Sequence, residues 1–189
     1  MNTLQPGEWI NNYADALYGY TLARVTDSGL AQDIVQDSFL SAWKAKDGFK
    51  GEASEKSWLF SILKHKIIDH YRKKARNILV PLEEAGNDDH FDGKGHWASG
   101  REPGDWDMEN SSALDRKEFY TIFNGCKSKL QELQQAAFVM KYMEGLEAAE
   151  ICKVLGITPS NYWVLIHRAK LQLRACLEKN WINPSNPSR

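Results

Sequence analysis

The sequence predicts an all-α protein made of two small helical domains joined by a flexible acidic linker. On either side of one interruption, apolar residues recur at three- and four-residue steps, with almost no alternating strand pattern. The interruption, residues 77–112, holds five of the 13 glycines, Pro81, Pro103 and nine acidic against two basic residues, the composition of a tether. The whole chain is 189 residues, 42% apolar, with 7 Trp, 7 Tyr and 7 Phe, enough to build two modest cores and unlike a disordered protein.

The first helix to be expected follows the turn-like Asp27-Ser28-Gly29 and runs to about Lys46. Its apolar stripe would bury Ala31, Ile34, Val35, Phe39, Ala42 and Trp43. Asp33, Gln36, Asp37, Leu40 and Lys44 fall on the opposite face, which taken alone reads as a solvated stripe. Gly48 and Gly51 break the pattern, and a second long helix follows from about Lys56 to Arg76. It turns Leu59, Ile62, Leu63, Ile67 and Tyr71 inward and projects Ser61, Lys64, His65, Ile68 and Arg72 along another face. Lys64, Lys66, Arg72, Lys73, Lys74 and Arg76 are set against a single acid, Asp69, a density that suits a phosphate-facing surface as well as a solvated helix end.

In the second domain a helix over about 113–127 carries Leu114, Phe119, Ile122, Phe123 and Cys126 as its buried stripe, and another over about 129–143 carries Leu130, Leu133, Ala137 and Met140. The stretch EAAEICKVLGITPSNYWVLIHRAKLQLRACL is the most informative local pattern in the chain. A short helix bears Ile151 and Leu155, Gly156 makes the tight turn, Thr158 caps the next helix, and Pro159 takes its first position. This is a helix-turn-helix, whose second helix can enter a major groove with its leading residues at base edges. Ser160, Asn161, Trp163 and Val164 stand at that end, with His167, Arg168, Lys170 and Arg174 along a basic flank. A helical hairpin with no DNA role has the same pattern, and Trp163 can be read as core or as a reader of DNA.

A formal net charge of −1 would argue against a polyanionic partner, but charge is segregated along the chain. Setting residues 77–112 aside leaves 22 basic against 16 acidic residues. No apolar run reaches the ~20 residues of a membrane span, and the start MNTLQPGEWI lacks a basic and an apolar leader region, so a cytoplasmic protein without membrane insertion is expected. Cys126, Cys152 and Cys176 are odd in number and far apart, which suggests three reduced thiols and neither a disulfide framework nor a zinc site. His65, Asp69 and His70 share one helical stretch and His90 and His96 lie in the linker, yet no complete ligand or nucleophile set emerges. No catalytic residue, metal or cofactor is therefore expected.

Taken together, AQDIVQDSFLSAWK, FKGEASEKSWLFSILKHKIIDHYRKK, LQELQQAAFVMKYMEGLEAAEICKVLGI and HRAKLQLR resemble, in order and spacing, the extracytoplasmic-function (ECF) sigma factors of bacterial RNA polymerase. The resemblance implies an alternative sigma factor, not an enzyme, that binds core RNA polymerase and directs promoter recognition, melting and transcription initiation. It divides the chain into region 2 (1–76), the acidic linker (77–112), region 4 (113–181) and a disordered tail (182–189). By the same resemblance Asp33, Gln36, Asp37 and Leu40 dock the clamp of the polymerase's largest subunit. The minus-ten element is met by Phe49, Ser57, Lys64, His65, Ile68 and Arg72. The minus-thirty-five element is met by Ser160, Asn161, Trp163, Val164, His167, Arg168 and Lys170. The flap of the second polymerase subunit and an anti-sigma factor are further implied partners. Three departures stand out: His65 replaces the Asn usual in the family's ARNR stretch, NYWVLIHRAK replaces a basic or small polar run such as TVKSRLHRAR, and the linker is long and acidic, in place of the extra promoter-contacting domain of housekeeping sigma factors, which is expected to be absent. A stand-alone helix-turn-helix regulator would account for residues 113–179 but leaves the region 2 pattern without a purpose.

Overall fold

The computed structural model describes residues 4–77 and 113–182, whose regular elements are all helices, with no strand among them. The chain divides into two compact units, residues 1–74 and 75–189. The expected linker and tail lie outside the described residues, save for Asn77 and Ile182.

Unit 1 consists of α1 (Trp9–Val25), α2 (Ser28–Ala45) and all but the last two residues of α3 (Glu55–Arg76). α1 was not anticipated as a separate element; its buried residues, Trp9, Leu17, Thr21 and Val25, are eight, four and four apart, a stripe diluted by Asn, Tyr and Thr. The α1–α2 turn is tight because Thr26 takes the left-handed conformation (φ 64°) and Asp27 caps α2, its Oδ1 accepting from the Leu30 N–H at 2.7 Å. Buried Thr21 and Ser38 satisfy their hydroxyls within their own helices, on the carbonyls of Leu17 and Ile34. Ala31, Ile34, Val35 and Ala42 are buried as the pattern demanded, and Phe39 packs at the edge of a cluster of Trp9, Ala42 and Leu59. Trp43 is the correction: it is 52% exposed, with Lys46 Nζ 3.6 Å above its ring. It sits three residues from Leu40, on the polar side of the stripe and not in the core. α3 buries Leu59, Leu63, Ile67, Tyr71 and Ala75, and Tyr71 ties it to the end of α1 by donating to the Arg24 carbonyl at 2.8 Å.

Unit 2 holds α4 (Ala113–Lys127), α5 (Glu132–Phe138), α6 (Ala148–Leu155) and α7 (Pro159–Leu177). The helix expected over 129–143 is shorter and changes pitch. It starts at a reciprocal Gln131/Gln134 capping box and opens at Val139–Met143 into a π-type turn that still buries Val139 and Met140. The helix-turn-helix forms as read, with Gly156 left-handed at φ 67° and Thr158 Oγ1 accepting from the Asn161 N–H at 3.2 Å. A Glu147/Glu150 capping box starts α6. α7 packs against α4, α5 and α6. The expectation of three reduced thiols is overturned for two of them: Cys126 of α4 and Cys176 of α7 are disulfide-bonded, their Cα atoms 5.8 Å apart, while Cys152 is free. Fifty residues separate the pair, a spacing that says nothing until α4 and α7 fold together around Phe119, Leu130, Ala169, Leu173 and Leu177.

Candidate nucleic-acid interface

Three surfaces carry the sequence-predicted residues, two on unit 1 and one on unit 2. On α2, Asp33, Gln36, Asp37, Leu40 and Lys44 are all exposed. With Leu40 at 53% and Trp43 at 52% exposure, two large apolar groups lie on the same helix flank as two acids and an amide. Trp43 is a member that the sequence reading gave to the core; its i, i+3 relation to Leu40 was the available signal.

On α3, Ser61, Lys64 and His65 are exposed and Ile68 and Arg72 half-buried, so residues at steps of three and four form one continuous track. His65 Nδ1 lies 2.8 Å from the Ser61 carbonyl, which fixes the ring along the helix. Lys64 Nζ is 6.0 Å from the centre of the Tyr20 ring. Arg72 pairs with Asp69 of its own helix; at such exposure the pair is weak and a phosphate can replace the carboxylate. The loop before α3 starts at Phe49, half-buried with its ring 5.1 Å from that of Trp58, and turns through Gly51 at φ 72°. Ser57 is exposed, its hydroxyl 2.8 Å from that of Ser54. Glu55, the first residue of α3, was not singled out from the sequence. Its carboxylate accepts from the Gln5 N–H and from Trp9 Nε1, both at 2.6 Å, and from the Tyr13 hydroxyl at 3.0 Å. Partial burial pushes the Glu55 carboxyl up, but the three donors outweigh it and hold it below the usual range. Tyr13 is pushed up by the bond to Glu55, with burial and the carboxylate's charge adding to it.

On α7, Ser160 is exposed, Asn161 half-buried and Trp163 42% exposed, whereas Val164 retains only 7% exposure. Val164 therefore belongs to the core, contrary to the expectation that it meets DNA; it flanks Leu165 and Ile166, which are buried too. Of the adjacent aromatics, Tyr162 is the buried one, and burial first, then the neighbouring Tyr142, Cys152 and Glu147, push its hydroxyl up to about 12. Trp163 stands at the surface against the rings of Tyr162 (5.1 Å) and His167 (6.4 Å). His167, Arg168 and Lys170 are half-buried, and Lys170 Nζ lies 5.6 Å from the centre of the Tyr142 ring. Tyr142, 48% exposed, thus borders the same flank from the π-type turn, a neighbour that sequence spacing could not supply. Arg174 bonds Glu178 at 2.7 Å, one turn further along.

Among the described residues no helix is long and apolar enough to cross a membrane, and no group of three or more His, Cys, Asp or Glu could hold a metal ion. What the surfaces offer is recognition: an apolar and acidic face, a basic track beside aromatic rings, and the leading end of a helix-turn-helix.

Two family models match the chain. Sigma-70 region 2 matches residues 9–77, and Sigma-70, region 4 matches residues 122–173. The Haemophilus influenzae protein described as "Probable RNA polymerase sigma factor" is 39% identical over 158 residues, covering 82% of this chain and 81% of its own length. The ECF RNA polymerase sigma factor SigL of Mycobacterium tuberculosis is 25% identical, covering 89% of this chain and 86% of its own. The ECF RNA polymerase sigma factor SigW of Bacillus subtilis is 26% identical, covering 87% and 84%. With both sigma regions in place on separate compact units, and a close relative matched over four-fifths of its length, the chain belongs to the ECF family of RNA polymerase sigma factors.

Proposed function

We propose that this sigma factor divides its work among the three surfaces described above. The α2 face with Asp33, Gln36, Asp37 and Leu40, extended by Trp43, docks the clamp of core polymerase. The α3 track with Lys64, His65, Ile68 and Arg72, together with the loop at Phe49 and Ser57, holds the melted strand of the minus-ten element. The leading end of α7, through Ser160, Asn161 and Trp163 and flanked by His167, Arg168 and Lys170, meets the minus-thirty-five duplex. The observation that carries the docking role is the exposure of Leu40 and Trp43 beside Asp33 and Asp37, since apolar area of that kind is stabilised by being covered. For melting, the support is the basic track next to the tilted pair of Phe49 and Trp58: bases leaving the duplex need a π-face and their phosphates a cation. No bond is made or broken by these residues; they bind the open strand while the polymerase carries the chemistry. The site of action is the cytoplasm, where core polymerase and promoter DNA are found. Contact with the flap of the polymerase's second subunit falls to unit 2. An anti-sigma factor would silence the protein most simply by covering the α2 face, because that face is needed before either promoter element is engaged.

Asp37→Arg tests the docking face, because Asp37 is exposed and contributes nothing to the core. The variant should keep the parent's circular dichroism and lose affinity for core polymerase; equal affinity would remove the docking role. Gel shifts on promoter duplex with and without core polymerase separate this reading from a stand-alone regulator. Strong specific binding in the absence of core would favour the regulator.

A further inference from the structure

The loop that precedes α3 ends at Ser54, whose hydroxyl accepts from the Ser57 N–H at 3.2 Å and whose carbonyl accepts from the Trp58 N–H at 3.0 Å. Lys50, Glu52, Ala53 and Ser54 lie at the surface, and Gly51 takes a left-handed conformation between them. At its near end the Phe49 ring lies tilted against Trp58, which in turn meets the edge of Trp9 with ring centres 5.9 Å apart. At its far end Glu55 receives three hydrogen bonds, all from the first thirteen residues of the chain. Trp9 is 2% exposed and takes part in both anchors, so both ends of the loop are fastened to the same short N-terminal segment.

Resting on the proposed minus-ten role of this loop and of α3, we propose that Glu55 is a positioning residue for promoter reading. Its carboxylate, held by Gln5, Trp9 and Tyr13, fixes where α3 begins and therefore where Phe49 and Ser57 stand relative to the α3 track. A base that leaves the stack is read only if the ring that receives it and the polar groups that bind its edge keep a fixed separation. Phe49 belongs to the loop and Lys64, His65 and Arg72 belong to the helix, and Glu55 sits at the junction between them. An acceptor binding three donors 42, 46 and 50 residues away in sequence sets that junction against α1 and the segment before it. Charge-assisted bonds of this kind are the shorter and stronger ones, and the buried indole N–H has the carboxylate as its partner. The N-terminal segment thereby acquires a part in specificity.

The test is run-off transcription by core polymerase with full-length variants, from promoter libraries randomised in the minus-ten or in the minus-thirty-five element. Glu55→Ala should flatten the minus-ten preference, lowering discrimination between best and next-best bases by about tenfold, the worth of one well-placed stacked base. It should leave the minus-thirty-five profile and the affinity for core polymerase unchanged. Glu55→Gln, which keeps one carbonyl acceptor, should fall between the parent and Glu55→Ala. Trp9→Phe, which removes the indole donor and keeps a ring, should flatten the same profile. A residue that merely stabilises unit 1 would lower the melting temperature and the transcript yield without altering the ranking of bases. Parental ranking in Glu55→Ala, or in Trp9→Phe should Glu55→Ala not fold, therefore overturns the proposal. The double variant Phe49→Ala, His65→Asn distinguishes the failures. If it shifts the minus-ten profile and Glu55→Ala does not, positioning by Glu55 is wrong and the surface assignment stands; if neither shifts it, both fall.

Discussion

Helix α3 in unit 1 and helix α7 in unit 2 are the two long helices proposed to meet DNA, 22 and 19 residues long, and they are held differently. α3 buries one stripe, from Leu59 through Leu63, Ile67 and Tyr71 to Ala75, at steps of four, and is tied to its unit by hydrogen bonds at its two ends, Glu55 and Tyr71. α7 is packed by three other helices, buries Tyr162, Val164, Leu165, Ile166, Ala169, Leu173 and Leu177, and is joined covalently to α4. A helix buried along one stripe keeps a long face for a strand that runs beside it. A helix buried on several sides keeps a narrower open face, and on α7 that face begins at Ser160 and Trp163 of the leading end, which suits insertion into a groove. The difference in packing matches the difference in proposed ligand: an extended single strand for α3, a few base edges for α7.

The largest expected effect breaks the covalent side of the comparison. Closing a 50-residue loop restricts the unfolded chain by about 4 kcal/mol in the chain-entropy account, with roughly 2 kcal/mol a realistic lower figure. Cys126→Ser with Cys176→Ser, or a dithiol reductant on the parent, should therefore reduce hydrogen-exchange protection of α4–α7 amides. Protection of α1–α3 amides, which have no cross-link, should be unaltered. Equal loss in both units, or none in unit 2, would show that the staple does not hold α7.

Left-handed turns give the next contrast, about 1 kcal/mol in opposite directions. Both units join two helices through a residue at positive φ, Thr26 at 64° in unit 1 and Gly156 at 67° in unit 2. A β-branched residue is the costlier occupant of that conformation and glycine the natural one. Gly156→Ala should destabilise unit 2 by about 1–2 kcal/mol. Thr26→Gly should stabilise unit 1 by less than about 1 kcal/mol, since the Thr26 hydroxyl bond to the Val25 carbonyl is lost with it. Urea midpoints of the two variants should move in opposite directions.

A further contrast concerns acid. Glu55 is held below the ordinary carboxylate range in the folded chain, so its contribution is fully present above the unfolded value and is lost as pH falls through the folded one. Unit 1 should therefore lose stability between about pH 5 and the folded value of Glu55, and Glu55→Gln should flatten that slope. An unchanged slope in the variant would show that other carboxylates carry it.

What the sequence revealed of these differences follows from how local each signal is. The helix-turn-helix was legible residue by residue, because Gly156, Thr158 and Pro159 act within one turn of where they stand. The Ala31–Ala42 stripe was legible for the same reason. Trp43 was misplaced because a period of 3.6 residues leaves its position at the edge of the stripe, and hydrophobicity alone then favours burial. Val164 was misplaced because the face of a recognition helix that packs depends on α4, α5 and α6, not on α7's own sequence. The disulfide and the Glu55 network escaped for a different reason: each joins residues more than forty apart, and only the folded chain brings them together.

The smallest effect concerns salt, and it tests the pairing of each unit with its form of DNA. Each cation on a phosphate releases counterions, with a slope of about 0.7 per phosphate for a single strand and about 0.9 for duplex. Lys64 lies on the α3 track and Arg168 on the flank of α7, and both leave part of the side chain open to a phosphate. In the complex with core polymerase, Lys64→Ala should shallow the salt dependence of binding to a pre-melted minus-ten probe by about 0.7 and leave binding to a minus-thirty-five duplex as it was. Arg168→Ala should do the reverse, shallowing the duplex slope by about 0.9, and should weaken many promoter sequences alike because a phosphate contact carries no sequence information. Asn161→Ala makes the complementary control: an amide at the leading end of α7 should cost about 1–3 kcal/mol at one base position, with no change in slope. Should Lys64→Ala alter the duplex slope, or Arg168→Ala the pre-melted one, the single strand and the duplex have been assigned to the wrong helices. The packing contrast between α3 and α7 would then need another explanation than the shape of what each one binds.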